Sequence, residues 1–223
     1  GSDCDITKKL NKDLMLMGLA GEGLVDKRVM VVKTHYPERY GKTKFYAERA
    51  ILLVRNPIDS IASLFNMVCT GTHNRSIDDQ DYVKFPQMWS EFIQQDVTVW
   101  KDFHEFWLNA KIPVHIIRYE DVVTAPEPTL KSLLEFVLNV EDIAGTKVHE
   151  YLKIAVNEQS PQIYKPRVGK VNGNFDKFNR VQLDFIVEYT YKYLRLFGYF
   201  NEYAMQGVSG VEDIILQEVE NQH

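Results

Sequence analysis

A chain of 223 residues with 45% hydrophobic content can fill a sizeable core, as one large domain or two small ones. Its formal net charge of −5 argues against nucleic-acid binding through overall charge, so any cationic patch has to be local. Cys4 and Cys69 make neither a disulfide framework nor a zinc spacing, and no apolar run approaches the roughly 18 residues of a helical membrane span.

Residues 3 to 28 are polar and helix-prone around LNKDLMLMGL, then turn through Gly18, Gly21 and Gly23. VMVV, Val29 to Val32, reads as a first buried strand that runs into Lys33, Thr34 and His35. A polar connection rich in Lys, Arg and Tyr leads to a second strand, Ala50 to Val54, ending in Arg55, Asn56 and Pro57. The helix after it is well marked. Asn56 suits the N-cap, Pro57 the first helical position and Asp59 the first turn, and Ile58, Ile61, Ala62, Phe65 and Val68 recur at helical spacing.

Residues 70 to 86 read as a loop with an acidic patch at Asp78, Asp79 and Asp81, and with a glycosylation triplet at Asn74. A long helix from about Trp89 to Ala110 places Phe92, Ile93, Val97, Trp100, Phe103 and Trp107 on one face, where the tryptophans fill core. VHIIRYED, Val114 to Asp121, reads as a third buried strand, followed by a helix carrying Leu130, Leu133, Leu134, Val137 and Leu138 and a weaker one over 144–157. Residues 159 to 179 break the regularity with Pro161, Pro166, Gly169 and Gly173, and loops of that length inside a compact domain usually serve a function. A last core helix spans Gln182 to Phe197, and VEDIILQEV forms a short surface helix. Strands alternating with helices predict a three-layer α/β fold with a parallel sheet. No internal repeat or linker divides the chain, so residues 1–223 read as one domain.

Two strand ends carry the chemistry. In open α/β sheets ligands sit beyond the carboxyl ends of the strands, and here both early strands deliver a cation to that place. His35 has the side chain best suited to take a proton from a hydroxyl near neutral pH. Lys33, two residues earlier, lies on the same side of an extended chain and can offset negative charge on a transferring group. Arg55 stands beside a helix N-terminus whose free N–H groups would complete a phosphate site, with Ser63 adding a hydroxyl. The plain alternative pairs Arg55 with Asp59 and leaves Lys33 solvated at a capped strand end. Gly41-Lys42-Thr43 mimics the end of a Walker A motif, but Tyr36 occupies the place of its required glycine. His73 and His104 have no partner at metal-ligand spacing, and no metal is expected.

KTHYP, RNPIDSIAS and RYEDV, in that order, resemble the sulfotransferase family. The first is similar to the family's strand end bearing the catalytic base, the second to its 3′-phosphate segment, the third to the Tyr-Glu-Asp that closes a later strand. RVGKVNG, Arg167 to Gly173, resembles the family's Arg-Lys-Gly-x-x-Gly phosphate loop with one extra residue and Val168 where lysine is usual. GNFDKFN is closer to a Golgi-type branch associated with WSC domains.

The resemblance implies a P-loop-like fold and a sulfuryl donor, 3′-phosphoadenosine 5′-phosphosulfate, which leaves as adenosine 3′,5′-bisphosphate. It implies a small-molecule, carbohydrate or peptide acceptor with a hydroxyl or amine, and leaves the compartment open between the cytoplasm and the Golgi lumen. His35 would deprotonate the acceptor and Lys33 would stabilise the sulfuryl group. Arg55 and Ser63 would hold the 3′-phosphate, Arg167 and Gly169 would close over it, Lys170 would replace the missing lysine, and Tyr119 would lie near the adenine. One departure is plain: the family opens with a strand and a Gly-rich loop for the 5′-phosphosulfate, and nothing in residues 1 to 28 fits it. The chain is then either the C-terminal portion of a longer domain, completed by an upstream segment or a second chain, or a non-catalytic binding module that has lost donor binding. A nucleotide kinase is the third reading, disfavoured because ATP would lack its phosphate cradle.

Overall fold

The computed structural model describes residues 12–18, 21–35, 37, 46–72, 75–157, 171–205 and 207–208. The chain separates into two compact units, Gly1–Glu48 with Ser160–Tyr164, and Arg49–Gln159 with Lys165–His223.

In the larger unit, β1 (Ala50–Val54) pairs in parallel with β2 (Val114–Arg118), and these are the two strands among the described residues. Asn56 caps helix α1 (Pro57–Thr70) by accepting from the Ile58 N–H, with Pro57 at its start and Gly71 at φ +65° closing it, as expected from the sequence. The 70–86 stretch is more ordered than expected. Asp78 and Asp81 form a capping box that starts the short helix α2 (Asp79–Lys84), so part of the acidic run serves as helix caps. Buried Asn66 fixes the connection before it, donating to the Arg75 carbonyl at 3.1 Å and accepting from the Ile77 N–H at 2.7 Å.

Helix α3 (Pro86–Leu108) carries Trp89, Ile93, Val97 and Trp100 into the core. There they meet Leu52 and Val54 of β1, Ile58, Ile61 and Phe65 of α1, and Ile186, Val187 and Leu194 of α7 (Arg180–Leu196). Helix α7 begins two residues earlier than expected, because Asn179 and Gln182 make a reciprocal cap. Between β2 and α7 lie α4 (Tyr119–Thr124), α5 (Pro126–Leu138), α6 (Lys147–Asn157) and a 3₁₀ turn at Phe175–Lys177, and α8 (Phe200–Met205) follows. Helix α5 covers the other face of the sheet, where Phe136 stacks on His115 of β2 at 5.0 Å. The unit is α/β, with helices on both faces of a small parallel sheet.

Several expectations need correction. β1 and β2 are not buried on both faces: Leu53 is 54% and Ile116 37% exposed, and the register sets them on opposite faces of the sheet. The third strand stops at Arg118, since Tyr119 already begins α4. Val68 turns outward at the end of α1.

In the smaller unit, residues 12–16 are helical and Gly18 follows at φ +99°. Gly21 packs so closely that a Cβ would meet Val29 Cγ1 at 2.9 Å. VMVV is not a buried strand. Residues 29–35 join no ladder among the described residues, and Met30 and Val31 are 69% and 58% exposed. Apolar, β-branched composition favours a strand only where a neighbouring strand takes up the backbone groups. Asn74, Gly41–Thr43, His73 and VEDIILQEV fall outside the described residues.

His104 on α3 is a core residue, as its lack of metal-ligand partners suggested. Its Nδ1–H donates to the Trp100 carbonyl at 2.6 Å, while Nε2 is buried without a hydrogen-bond partner among Trp100, Phe103 and Phe197. Burial lowers its pKa from 6.5 to about 4. The unfolded chain therefore takes up this proton near pH 6.5 and the folded chain only near 4. The stability tied to neutral His104 is complete above pH 6.5 and is lost as pH falls towards 4, by up to about 3 kcal/mol. Urea denaturation at pH 7 and pH 4.5 should show this loss in the parent chain, and a smaller one in His104→Leu.

Candidate functional site

The β1–β2 register builds the site. Ala50 pairs with Val114 and Val54 with Arg118, an offset of 64 along the ladder (114 − 50 and 118 − 54). Carried one step past the strands, it sets Arg55 opposite Tyr119, and one step further Asn56 opposite Glu120. Both pairs make contact. The Arg55 guanidinium stacks over the Tyr119 ring, 4.6 Å from its centroid, and the Asn56 N–H donates to Glu120 Oε1 at 3.0 Å. The Arg-Asn and Tyr-Glu dipeptides of two separate motifs thus lie side by side.

Arg55 is partly buried, its carbonyl accepts from Trp100 Nε1 at 3.2 Å, and its own Nε is buried without a hydrogen-bond partner. Asp59 does not pair with it. That carboxylate, 1% exposed, accepts from the Asn172 N–H at 2.8 Å and from Asn174 Nδ2 at 2.6 Å. A partly buried guanidinium whose Nε–H is unused, with no ion pair to an acid among the described residues, is suited to an anion.

The helix N-terminus supplies less of the free N–H cradle than the sequence suggested. Pro57 has no N–H, and the Ile58 N–H is taken by Asn56 Oδ1 at 3.1 Å. The N-cap thus uses one of the donors that an incoming anion would take.

Asn56, fully buried, uses all its side-chain capacity. Oδ1 accepts from Ile58 N and from the Tyr203 hydroxyl at 2.7 Å, and Nδ2 donates to Asn172 Oδ1 at 3.0 Å and Glu202 Oε2 at 2.9 Å. Glu202 also takes the Arg118 guanidinium at 3.0 Å, and Arg118 lies over the Tyr199 ring, whose hydroxyl donates to Glu120 Oε2 at 2.6 Å. Burial, then the Glu120 carboxylate, raises the Tyr199 phenol far above its ordinary range, so it stays a donor. Burial likewise raises Glu202, against the pull of Arg118 and Asn56.

Of the residues singled out from the sequence, Arg55 and Tyr119 come together. Ser63 sits two turns into α1, half-exposed. Lys33 and His35 belong to the smaller unit, where exposure alternates from Val31 to His35 and leaves both side chains outward, the pattern of extended backbone. Arg167, Gly169 and Lys170 fall outside the described residues. Sequence reasoning does not single out Glu120, Asn172, Asn174, Glu202 or Tyr203. The first sits inside a recognised motif and is open to notice, whereas nothing local marks Glu202 or Tyr203.

Residues 21–170, about two-thirds of the chain, match the model of the sulfotransferase domain, and the chain belongs to that family. It is similar to WSCD family members of three insects. The identity is 31% over 140 residues for the Aedes aegypti protein, 29% over 135 for that of Drosophila pseudoobscura pseudoobscura, and 28% over 135 for that of Drosophila melanogaster. Each match covers 59% of this chain and 42% of the relative, so the chain spans less than half the length of the curated relatives it matches. No solved structure matches it.

Replacing Asn56 by Ala removes a helix cap and strands the partners of its four side-chain bonds. Asn56→Ala should destabilise the larger unit by about 3 kcal/mol or more, well beyond the roughly 1 kcal/mol of an exposed cap, read as a lower urea midpoint with unchanged slope.

Proposed function

We propose that this chain carries the 3′-phosphate side of a sulfotransferase site using 3′-phosphoadenosine 5′-phosphosulfate, on a P-loop-like fold. The observation that carries the reading is the Arg55 guanidinium, held on Tyr119 with a buried, unpartnered Nε beyond the carboxyl end of β1. Arg55 binds the 3′-phosphate and Tyr119 borders the adenine. Ser63, Arg167, Gly169 and Lys170 take the remaining donor contacts implied by the family motifs. Membership of the sulfotransferase family supports the transfer chemistry.

In that chemistry His35 removes the proton of the acceptor hydroxyl or amine as the acceptor atom attacks sulfur. The sulfur–oxygen bond to the 5′-phosphate breaks in line, adenosine 3′,5′-bisphosphate leaves, and Lys33 offsets the negative charge on the sulfuryl oxygens. A Gly-rich segment that receives the 5′-phosphosulfate is required in addition, from the same protein or a second chain. A cation and a base on exposed strand-like backbone favour a carbohydrate or peptide acceptor as readily as a small molecule.

Binding separates this reading from a module that has lost the donor. Adenosine 3′,5′-bisphosphate should bind and raise the thermal midpoint of the chain, while Arg55→Ala should weaken it by about 2 kcal/mol, the scale of a lost charge-assisted hydrogen bond. Adenosine 5′-monophosphate, without the 3′-phosphate, should be far less sensitive, and equal losses by calorimetry would remove Arg55 from the site. In an enzyme with its donor loop present, His35→Ala should lower turnover on the order of 100-fold with donor affinity nearly unchanged. Near-normal sulfuryl transfer by that variant would end its assignment as the base.

A further inference from the structure

We propose that Glu120 is the positioning residue for Arg55: it orients the guanidinium for an anion without neutralising it. The inference rests on Arg55 being the phosphate ligand and adds what holds it in place. An arginine side chain carries about 2 kcal/mol of rotamer entropy, and an acid usually fixes it by ion pairing, which would also occupy its donors. No ion pair to Arg55 exists among the described residues, and Asp59, the acid four residues on, is turned towards Asn172 and Asn174. What fixes the guanidinium is the Tyr119 ring at 4.6 Å and the backbone on which each residue stands.

Glu120 ties those two backbones together. Its carboxylate, 4% exposed, receives the Asn56 N–H at Oε1 and the Tyr199 hydroxyl at Oε2. The first bond joins the residue after Arg55 to the residue after Tyr119. It continues the β1–β2 ladder by one rung through a side chain, beyond the last backbone pair at Val54 and Arg118. Both carboxylate oxygens are engaged by neutral donors, so a negative charge sits one residue from the platform and leaves the Arg55 donors open. A charge-assisted bond of this kind is roughly twice as strong as a neutral one, which suits a rung that has to keep its length.

The test uses the whole chain, with the Arg55 Nε–H proton followed by NMR and assigned through Arg55→Lys. In the parent this signal should be displaced by the Tyr119 ring and slow to exchange with water. Glu120→Gln keeps shape and one acceptor but loses the charge. It should move the signal towards that of a free arginine and weaken adenosine 3′,5′-bisphosphate about tenfold, with adenosine 5′-monophosphate changed less than about twofold. Tyr199→Phe leaves the Asn56–Glu120 bond intact and should lower the melting midpoint while keeping the signal and the nucleotide ratio. An unmoved signal in Glu120→Gln, equal losses for both nucleotides, or a signal moved by Tyr199→Phe would each overturn the positioning role. If Glu120→Gln does not fold, Glu120→Asp, which keeps the charge but is one carbon too short for the rung, takes its place: the signal should move as described, and an unmoved signal overturns the positioning role. A parent chain that does not distinguish the two nucleotides overturns the phosphate reading of Arg55 instead, and the Nε–H signal still decides whether Glu120 orients that side chain.

Discussion

The bond between the Asn56 N–H and the Glu120 carboxylate is where this domain is fastened. A carboxylate buried to this degree is costly unless strong donors meet it, and here a backbone amide and a phenol do so. The parallel ladder delivers the amide and α8 is preceded by the phenol at Tyr199, so strand pairing and the end of the chain's core are satisfied at one point. Arg55, Tyr119 and the cap of α1 take their positions from it. Were the carboxylate missing, the adjoining rungs would remain, but the two dipeptides beyond them would have only ring stacking to keep them in step.

Asn56 extends the fastening in other directions. An asparagine side chain offers two donors and two acceptor lone pairs, and this one uses all four, on its own helix, on Tyr203 and Glu202 of α8, and on Asn172. Asn172 stands at φ +58°, a conformation asparagine tolerates better than most residues, and its own N–H goes to Asp59. The segment that begins at Val171 is therefore tied to the first turn of α1 by side chains from both partners. In an interior of low dielectric such a network is worth most when complete, because each member's polar atoms have no water to fall back on.

What could be read in the sequence was whatever a local pattern encodes. The Asn56–Pro57–Asp59 start of α1 and the tryptophan stripe of α3 follow from capping chemistry and a 3.6-residue period, and both are where the pattern put them. VMVV shows the limit, since an apolar run does not state whether a partner strand lies beside it. The acidic run at Asp78–Asp81 was passed over as surface although its spacing is that of a cap. The helix N-terminus misleads in the opposite way: Asn56 reads as a cap, yet the Ile58 N–H that it takes also reads as free for an anion. Glu202 and Tyr203 carry no local mark, because their role depends on partners about 146 positions away.

The shared register also governs how this chain can vary. The ladder aligns Arg55 with Tyr119 only through five paired residues, so one residue inserted within either strand would set Arg55 against Arg118 or Glu120 and turn every following side chain to the opposite face. The connection from α1 to β2 is under no such restriction, and residues added around 71–78 or 109–113 leave the pairing untouched. The distance in sequence between the two motifs is thus free to drift while their distance in space is not. A search for kindred chains should hold each strand with its trailing dipeptide rigid and let the interval between them float.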